Sequence, residues 1–520
     1  MQALLFRFWR DQHGAGTAFS VFLLVICAAL GGIALDFSNA WRHRELLKTT
    51  ADVAAQAGVI ALAQGEAPAA AQKTALAALD FNTPLASYGR IVVDAARDVV
   101  PLHYDSDSNR LSADGTINAV SVLVRRSRLS DNAVPTYLLR LVGRQDWEIG
   151  GTSVAALVPT RRCNPADGIF AAGVVTLAQV SSVAAGVCVH SQDRVALPQG
   201  GDFRAGSGLS MPDLADCTGL CREAVPQGDE TVAFETNLIL ADPAALVEAA
   251  SKVFADPFVT SPAEQEFFAS RPLAADLSAL DEVGVDLEGL RSGALVTLSP
   301  MQFSRLREIP AGLIYRVKCG GGGRSPASAS PPGSRAGRLE ISDGGNGTML
   351  RDLALVTDCA LHFAASARAE GALFITTRTS SGASVTADPG ARFGNPDRRC
   401  AAIRRSTLMA RGDLAIPAAF IASNADLIVA GDIEVFADPG GQTAEHRGVG
   451  IHVGGEISFA SAQDFSACAV DPSGLLPELL VIRHVMPGLG SPPGAPVGTG
   501  GGSEGGAGGG SEGGGTSMSR

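Results

Sequence analysis

Aromatic residues are scarce, at 5% of a 520-residue chain. That shortage argues against an aromatic-rich globular enzyme and for small-residue helices and glycine-punctuated strands. Basic charge is short as well: 41 Lys and Arg stand against 53 Asp and Glu, for a net charge of −12. Affinity for nucleic acid rests on neutralising phosphates, so nucleic acid is excluded as a partner. No paired CxxC occurs, and Cys217-x-x-x-Cys221 lacks a matching His or Cys pair nearby, which counts against zinc. H-E-x-x-H and P-loop motifs are missing, and the G-x-S-x-G and G-x-G-x-x-G spellings occur only in the glycine-rich tail (GGGSEG, 500–505 and 508–513), away from the strand and helix that such motifs require. On these grounds no catalytic, cofactor-binding or metal residue is assigned and no cofactor is expected.

What is present is 46% apolar residues and 61 glycines, on a chain long enough for two to four folding units. Of nine cysteines, Cys27 lies in an early apolar run. The other eight (Cys163, Cys188, Cys217, Cys221, Cys319, Cys359, Cys400, Cys468) all follow it. An even number suits disulfides in an oxidising compartment, with free buried thiols and metal as the competing readings. Spacing alone leaves their connectivity open.

Gly14 to Leu35 carries no charge. As a helix it would span about 33 Å, enough for a hydrocarbon core of ~30 Å. Arg7 and Arg10 precede it; Arg42, Arg44 and Lys48 follow, interleaved with Asp36, Glu45 and Asp52. The flanks orient it weakly, and the downstream cysteines place the amino terminus in the cytoplasm and the bulk outside. A cleaved secretory signal is the rival, with small-x-small sites at Gly32-Ile33-Ala34 or Ser38-Asn39-Ala40. Against cleavage, the run exceeds a usual signal core. Helical periodicity also continues through Leu46, Leu47, Ala51, Ala54, Ala57, Ile60 and Leu62 until Pro68 interrupts it. Within the run, Ala28, Ala29, Gly31 and Gly32 would allow close packing with other membrane helices.

The stretch "HGAGTAFSVFLLVICAALGGIALDFSNAWRHRELLKTTADVAAQAGVIALA" resembles the amino-terminal segment of the TadG-like proteins of the Flp (tight-adherence) pilus assembly system. The shared features are a short basic leader, a glycine before the membrane run, Asp36 near its exit, and a following alanine-rich helix. "CVHSQDRV" (188–195) and "LSMPDL" (209–214) look like segments of some relatives' extracytoplasmic parts. Processed pseudopilins of that system carry Glu five residues after the cleaved glycine. Here Phe19 or Val21 occupies that place, so the anchor is expected to stay whole. The type A domain of many relatives needs D-x-S-x-S, and "YDSDSN" (104–109) has Asp107 where that pattern needs Ser.

The chain then divides into a cytoplasmic leader (1–13), a transmembrane helix (14–35), an extracytoplasmic helical stem (36–83) and a small β-rich unit (84–162). A first β-solenoid part (163–231), a helical insertion (232–316), a flexible loop (317–337), the main β-solenoid (338–486) and a disordered Gly/Ser/Glu-rich tail (487–520) follow. The solenoid reading rests on a recurring motif: "AGVVTL" (172–177), "RGDLAI" (411–416), "AGDIEV" (430–435) and "GGEISF" (454–459). In each copy alternation puts two apolar side chains on one strand face, after a glycine that permits a bend. A β-sandwich is the competing arrangement. The fold class is thus α+β: a single membrane helix continuing into a protruding helix, a β-rich body containing a β-helix, and a disordered tail.

Asp413, Asp432 and Glu456 occupy matching places in the motif and could stack in a row. A β-helix polysaccharide-cleaving enzyme would use such a row, whereas solvated corners need it only for solubility. His446 and His452, six residues apart, read as solvated loop histidines. "DGGNGT" (343–348) reads as a plain turn, and Arg411-Gly412-Asp413 as a chance adhesion tripeptide. The resemblance implies a non-enzymatic, minor pilin-like or scaffolding component of Flp pilus assembly. It would sit in the inner membrane among other pilus assembly or pilin-like membrane proteins, its body periplasmic or surface-facing. The alternative is an adhesin-like module that binds polysaccharide.

Overall fold

The computed structural model describes residues 13–83, 91, 93–160, 163–221, 233–256, 262–306, 308–319, 337–342, 350–379, 382–395, 400, 404–437, 444–468, 475–476 and 479–485. Leader residues 1–12, the tail 487–520, most of the loop 317–337 and the "DGGNGT" turn lie outside them. The described fold mixes helix and sheet, and its strands are mostly parallel.

Helix α1 runs unbroken from His13–Ala63, since neither proline nor glycine at a turn interrupts its periodicity. Pro68 opens helix α2 (Pro68–Asn82) at its first turn, where a missing N–H leaves nothing unpaired. The two ends of α1 differ in surroundings. Phe19, Phe22, Leu24, Val25 and Leu30 stand exposed. Leu47, Ala51, Ala54, Ala55 and Val59 are fully buried. By length and composition α1 is long and apolar enough to cross a membrane.

The buried half of α1 and α2 lie on a six-stranded antiparallel sheet. Its order is Leu238–Ile239, Leu480–His484, Ile149–Pro159, Ala119–Arg126, Val99–Asp105 and Arg110–Ser112. Val120, Val122, Val124, Ala155 and Leu157 meet the helices and form one core. The other sheet face, with Val154, Ala156, Val158 and Val481, packs on Phe170, Cys188 and Phe234 of the body.

The body is built of parallel ladders. The first, in spatial order, holds Ala294–Leu298, Leu313–Val317, Ala354–Thr357, Leu373–Thr376, Ser406–Ala410, Ile421–Val429, Ala444–Val453, Gly168–Ala171, Cys188–Ser191, Gly208–Met211 and Ala233–Glu235. Its register aligns Val296, Tyr315, Leu355, Phe374, Leu408, Leu427, Ile451, Ile169, Val189 and Leu209 in one interior row of the main core. Burying each side chain of that size contributes roughly 1.5–3 kcal/mol.

The second ladder stacks all four copies of the sequence motif. Leu414 pairs with Ile433, Ile433 with Ile457, and Ile457 with Val175. The copy nearest the amino terminus therefore sits directly beyond the last one. In a third ladder Gln463–Ser466 likewise pairs with Ser181–Val183. The chain thus enters its ladders in the middle. It runs out to one end at Ala233–Glu235, crosses back, restarts at the opposite end with Ala294–Leu298, and closes on its own beginning.

Helix α3 (Pro243–Ala255) makes part of that crossing, capped by Asp242, whose carboxylate accepts from the Ala244 N–H. Its Val247, Ala250 and Phe254 cover Val356, Ile375, Met409 and Ile428 on the outer face of the first ladder. Covered on both faces, these strands can be apolar at every position, as parallel strands commonly are.

Two expected boundaries differ. The segment 232–316 is not helical throughout, because Ala294–Leu298 and Leu313–Val317 join the first ladder. The end of 338–486 leaves the ladders, and Leu480–His484 pairs antiparallel with Ile149–Pro159 in the helix-covered sheet. In the first place the helical reading overran two short strands, and in the second the strand's neighbour is set by a segment more than 300 residues earlier.

Candidate functional site

The densest polar constellation near the apolar half of α1 is centred on Asp36. Strands Val134–Pro135 and Asp146–Trp147 pair as a short ribbon and close a loop over 136–145. The Asp36 carboxylate, almost fully buried, accepts the backbone N–H groups of Tyr137 (2.6 Å), Leu138 (2.9 Å) and Leu139 (2.6 Å). These N–H groups precede and open the short 3-10 helix Leu139–Val142 and have no intrahelical acceptors, so one carboxylate replaces three missing bonds. One turn below, Leu138 lies over Gly32. A Cβ on that glycine would come within 2.6 Å of the leucine side chain, so only glycine admits the loop. Two turns above, Arg126 donates toward His43 Nδ1 at 3.2 Å and to the Asn132 carbonyl at 2.9 Å.

Of the small residues in the apolar run, Gly32 therefore faces its own chain's Leu138 and not a second helix. Gly31 is open and Ala29 is exposed; the Ala28 side chain is outside the described set.

The motif carboxylates do form a row. Asp413 Oδ1 accepts the backbone N–H of Asp432 at 3.0 Å, and Asp432 Oδ1 accepts that of Glu456 at 2.8 Å. This explains the glycines before Asp432 and Glu456. A Cβ at Gly431 or Gly455 would stand about 2 Å from the carboxylate oxygen of the preceding repeat. Stacking fixes Asp413 and Asp432 to backbone along an exposed corner, and the row stops at Val174, the position that matches Glu456 in the next copy. Asp413 belongs to the Arg411-Gly412-Asp413 tripeptide and is occupied in the same way.

All eight downstream cysteines are paired: Cys163–Cys188, Cys217–Cys221, Cys319–Cys359 and Cys400–Cys468. Cys27 is free and exposed. Among the described residues one group of His, Cys, Asp or Glu lies close enough to share an ion: Cys319, Asp358 and Cys359. Both of its thiols are consumed by their disulfide.

The histidines are not solvated loop residues. His446 and His452 are buried in Ala444–Val453, a strand covered on both faces. His446 Nε2 bonds Gln463 at 2.9 Å and its ring stacks on Phe465; His452 Nε2 bonds the Pro165 carbonyl at 3.0 Å and its ring stacks on Phe170. Burial lowers the pKa of both, against partial compensation from these bonds. On the other side of Phe170, buried His190 meets Ser210 at 2.9 Å, and burial lowers its pKa to about 4.

Sequence reasoning missed the pair at the junction of chain beginning and end. Buried Arg405 donates through Nε to Asp426 Oδ1 at 2.8 Å and through Nη2 to the carbonyls of Ala425 and Ala166. Nothing in the local sequence announces a partner more than 230 residues away. A cleft of about 540 Å³, also unforeseen, opens between the end of α3 and the first ladder. Among the described residues Lys252, Asp256, Arg316, Lys318 and Asp358 line it, without an aromatic ring.

Residues 333–469 match a protein family described as a domain of unknown function (DUF7867). The match takes in the second-ladder strands from Arg338–Ile341 to Ile457–Phe459, the carboxylate row and the Cys400–Cys468 bridge, and leaves out α1 and the Asp36 junction. No curated protein and no solved structure was found to be similar to the chain.

Proposed function

We propose that this chain is a single-pass membrane protein that keeps its amino-terminal helix and serves, without catalysis, as a minor pilin-like or scaffolding component of Flp pilus assembly. The observation that carries the reading is the Asp36 junction. A cut after Ala40 would remove the acceptor of three backbone N–H groups, and a cut after Ala34 would remove Gly32 from under Leu138. A dispensable signal does not usually hold the mature fold together. The placement in Flp assembly rests on the resemblance of His13–Ala63 and its flanks to TadG-like proteins.

In this reading the three parallel ladders are faces of a β-solenoid. Support comes from the in-register stacking of the four motif copies and from the Asp413, Asp432 and Glu456 ladder along one corner. The solenoid would be a rigid periplasmic or surface-facing platform for other assembly proteins, with four disulfides suited to an oxidising compartment. Polysaccharide binding is the second reading, favoured by the cleft carrying Lys252, Arg316 and Lys318.

Deletion of the chain from its host should abolish surface pili. Wild type should restore them, and a chain lacking 14–35 behind a cleavable signal should not. Restoration by the released body would overturn the anchor reading. Intact pili together with saturable glycan binding by the purified full chain would move the conclusion to adhesion. Glycan turnover lost in a triple Asp413→Ala, Asp432→Ala, Glu456→Ala variant would move it to catalysis.

A further inference from the structure

The junction fixes more than α1. Leu138 packs on Gly32, which lies inside the uncharged run and about 4.5 Å, three helical rises, short of its last residue Leu35. Where α1 crosses a bilayer, the loop must reach the level at which hydrocarbon meets headgroups. Its side chains suit that level. Tyr137 is 60% and Leu138 39% exposed, and Arg140 and Arg144 are exposed beside them. The next turns of α1 carry Phe37 and Trp41, exposed on a neighbouring face, with ring centroids 6.3 Å apart and the Arg44 guanidinium 5.7 Å above Trp41. Arg144 lies 4.4 Å over the Trp147 ring. In a chain so poor in aromatics and so acidic overall, this gathering of Tyr, Trp and Arg is local. The loop's first N–H groups are already satisfied by Asp36, which backbone at the edge of a bilayer requires.

We infer that the 136–145 loop is a second, monotopic membrane contact: Tyr137 and Leu138 enter the acyl–headgroup boundary of a phospholipid bilayer while Arg140, Arg144 and Arg44 meet lipid phosphates. Aromatic rings and arginines hold such positions because an apolar body and a polar tip are each satisfied there. The collar would set the tilt and rotation of α1 and hold the antiparallel sheet against the membrane. It rests on the membrane-anchor reading above but not on the pilus assignment.

Nitroxide accessibility of the full chain in phosphatidylcholine–phosphatidylglycerol vesicles tests it. One label sits on native Cys27, a second on Tyr137→Cys and a third on Leu129→Cys, the last two in a Cys27→Ser background. Leu129 is exposed three residues after Arg126, which reaches His43, about 10 Å up the helix from Asp36. Oxygen collisions should dominate at 27 and 137, and collisions with a water-soluble nickel chelate at 129. A water-accessible 137 with a lipid-buried 27 overturns the collar and leaves the anchor standing. Water access at 27 overturns both. Tyr137→Trp, read by quenching with acyl-brominated lipid, repeats the test without a label; unquenched added emission contradicts the collar.

Discussion

The helix-covered antiparallel unit and the parallel ladders both turn carboxylates onto backbone N–H groups, but they spread the burden differently. Asp36 alone answers three N–H groups in a buried setting and holds a loop against one turn of one helix. Asp413 and Asp432 each answer one, on an exposed corner, and the register around them is also held by parallel pairing on every side. A repeated structure dilutes each contact among its neighbours. A junction concentrates its stability in one side chain.

Asp36→Ala should be the largest single effect in the molecule. The 136–145 loop should become readily cut by protease while the ladders keep their melting transition. A loop equally resistant in the variant would make the junction incidental.

Arg405→Ala approaches that severity within the ladders, because it strands Asp426 in the core where chain beginning and end meet. About 3–5 kcal/mol should be lost in denaturant unfolding. Replacing both residues by apolar ones of similar volume should cost less, and equal losses would show that the volume and not the charge matters.

Acid separates the regions further. His190 is held at about 4 in the fold against about 6.5 unfolded, so the unfolded chain takes up its proton first. Stability contributed by the neutral ring is complete above pH 6.5 and declines as the pH falls, levelling near 4, by about 3 kcal/mol in all. His190→Gln should flatten this part of the pH–stability curve, and an unchanged curve would mean the ring is not buried neutral.

Gly455→Ala should be milder, about 1–3 kcal/mol, since the new methyl meets the Asp432 carboxylate. Asp432→Ala in the same chain should recover part of the loss. Additive losses would remove the carboxylate as the cause.

Legibility followed the same divide. Four glycine-led copies could be read as strands of one kind because alternation and spacing are local properties, and they do stack in register. The disulfide cysteines were identifiable as a set, whereas their pairing needed the fold. What stayed hidden is non-local. Val175 stacks beyond Ile457, Arg405 meets the Ala166 carbonyl, and Leu480–His484 returns to the first sheet. His446 and His452 misled because their surroundings come from other segments. His446 between Glu445 and Arg447, and His452 just ahead of Gly454 and Gly455, read as solvated until Phe465 and Phe170 are seen beside them. Asp36 stood out in sequence only as a charge at the end of an apolar run, and its three acceptor bonds involve residues about a hundred positions on.

The account stands most directly on the retention of α1 in the mature protein. Peptide mapping and intact mass of the chain recovered from a membrane fraction decide it. Peptides covering Gly14 to Asp36 should be present at the abundance of the body. A mature chain beginning after Ala34 or Ala40 would contradict the anchor, the Asp36 junction as the feature that holds the fold to it, and the pilus assignment together.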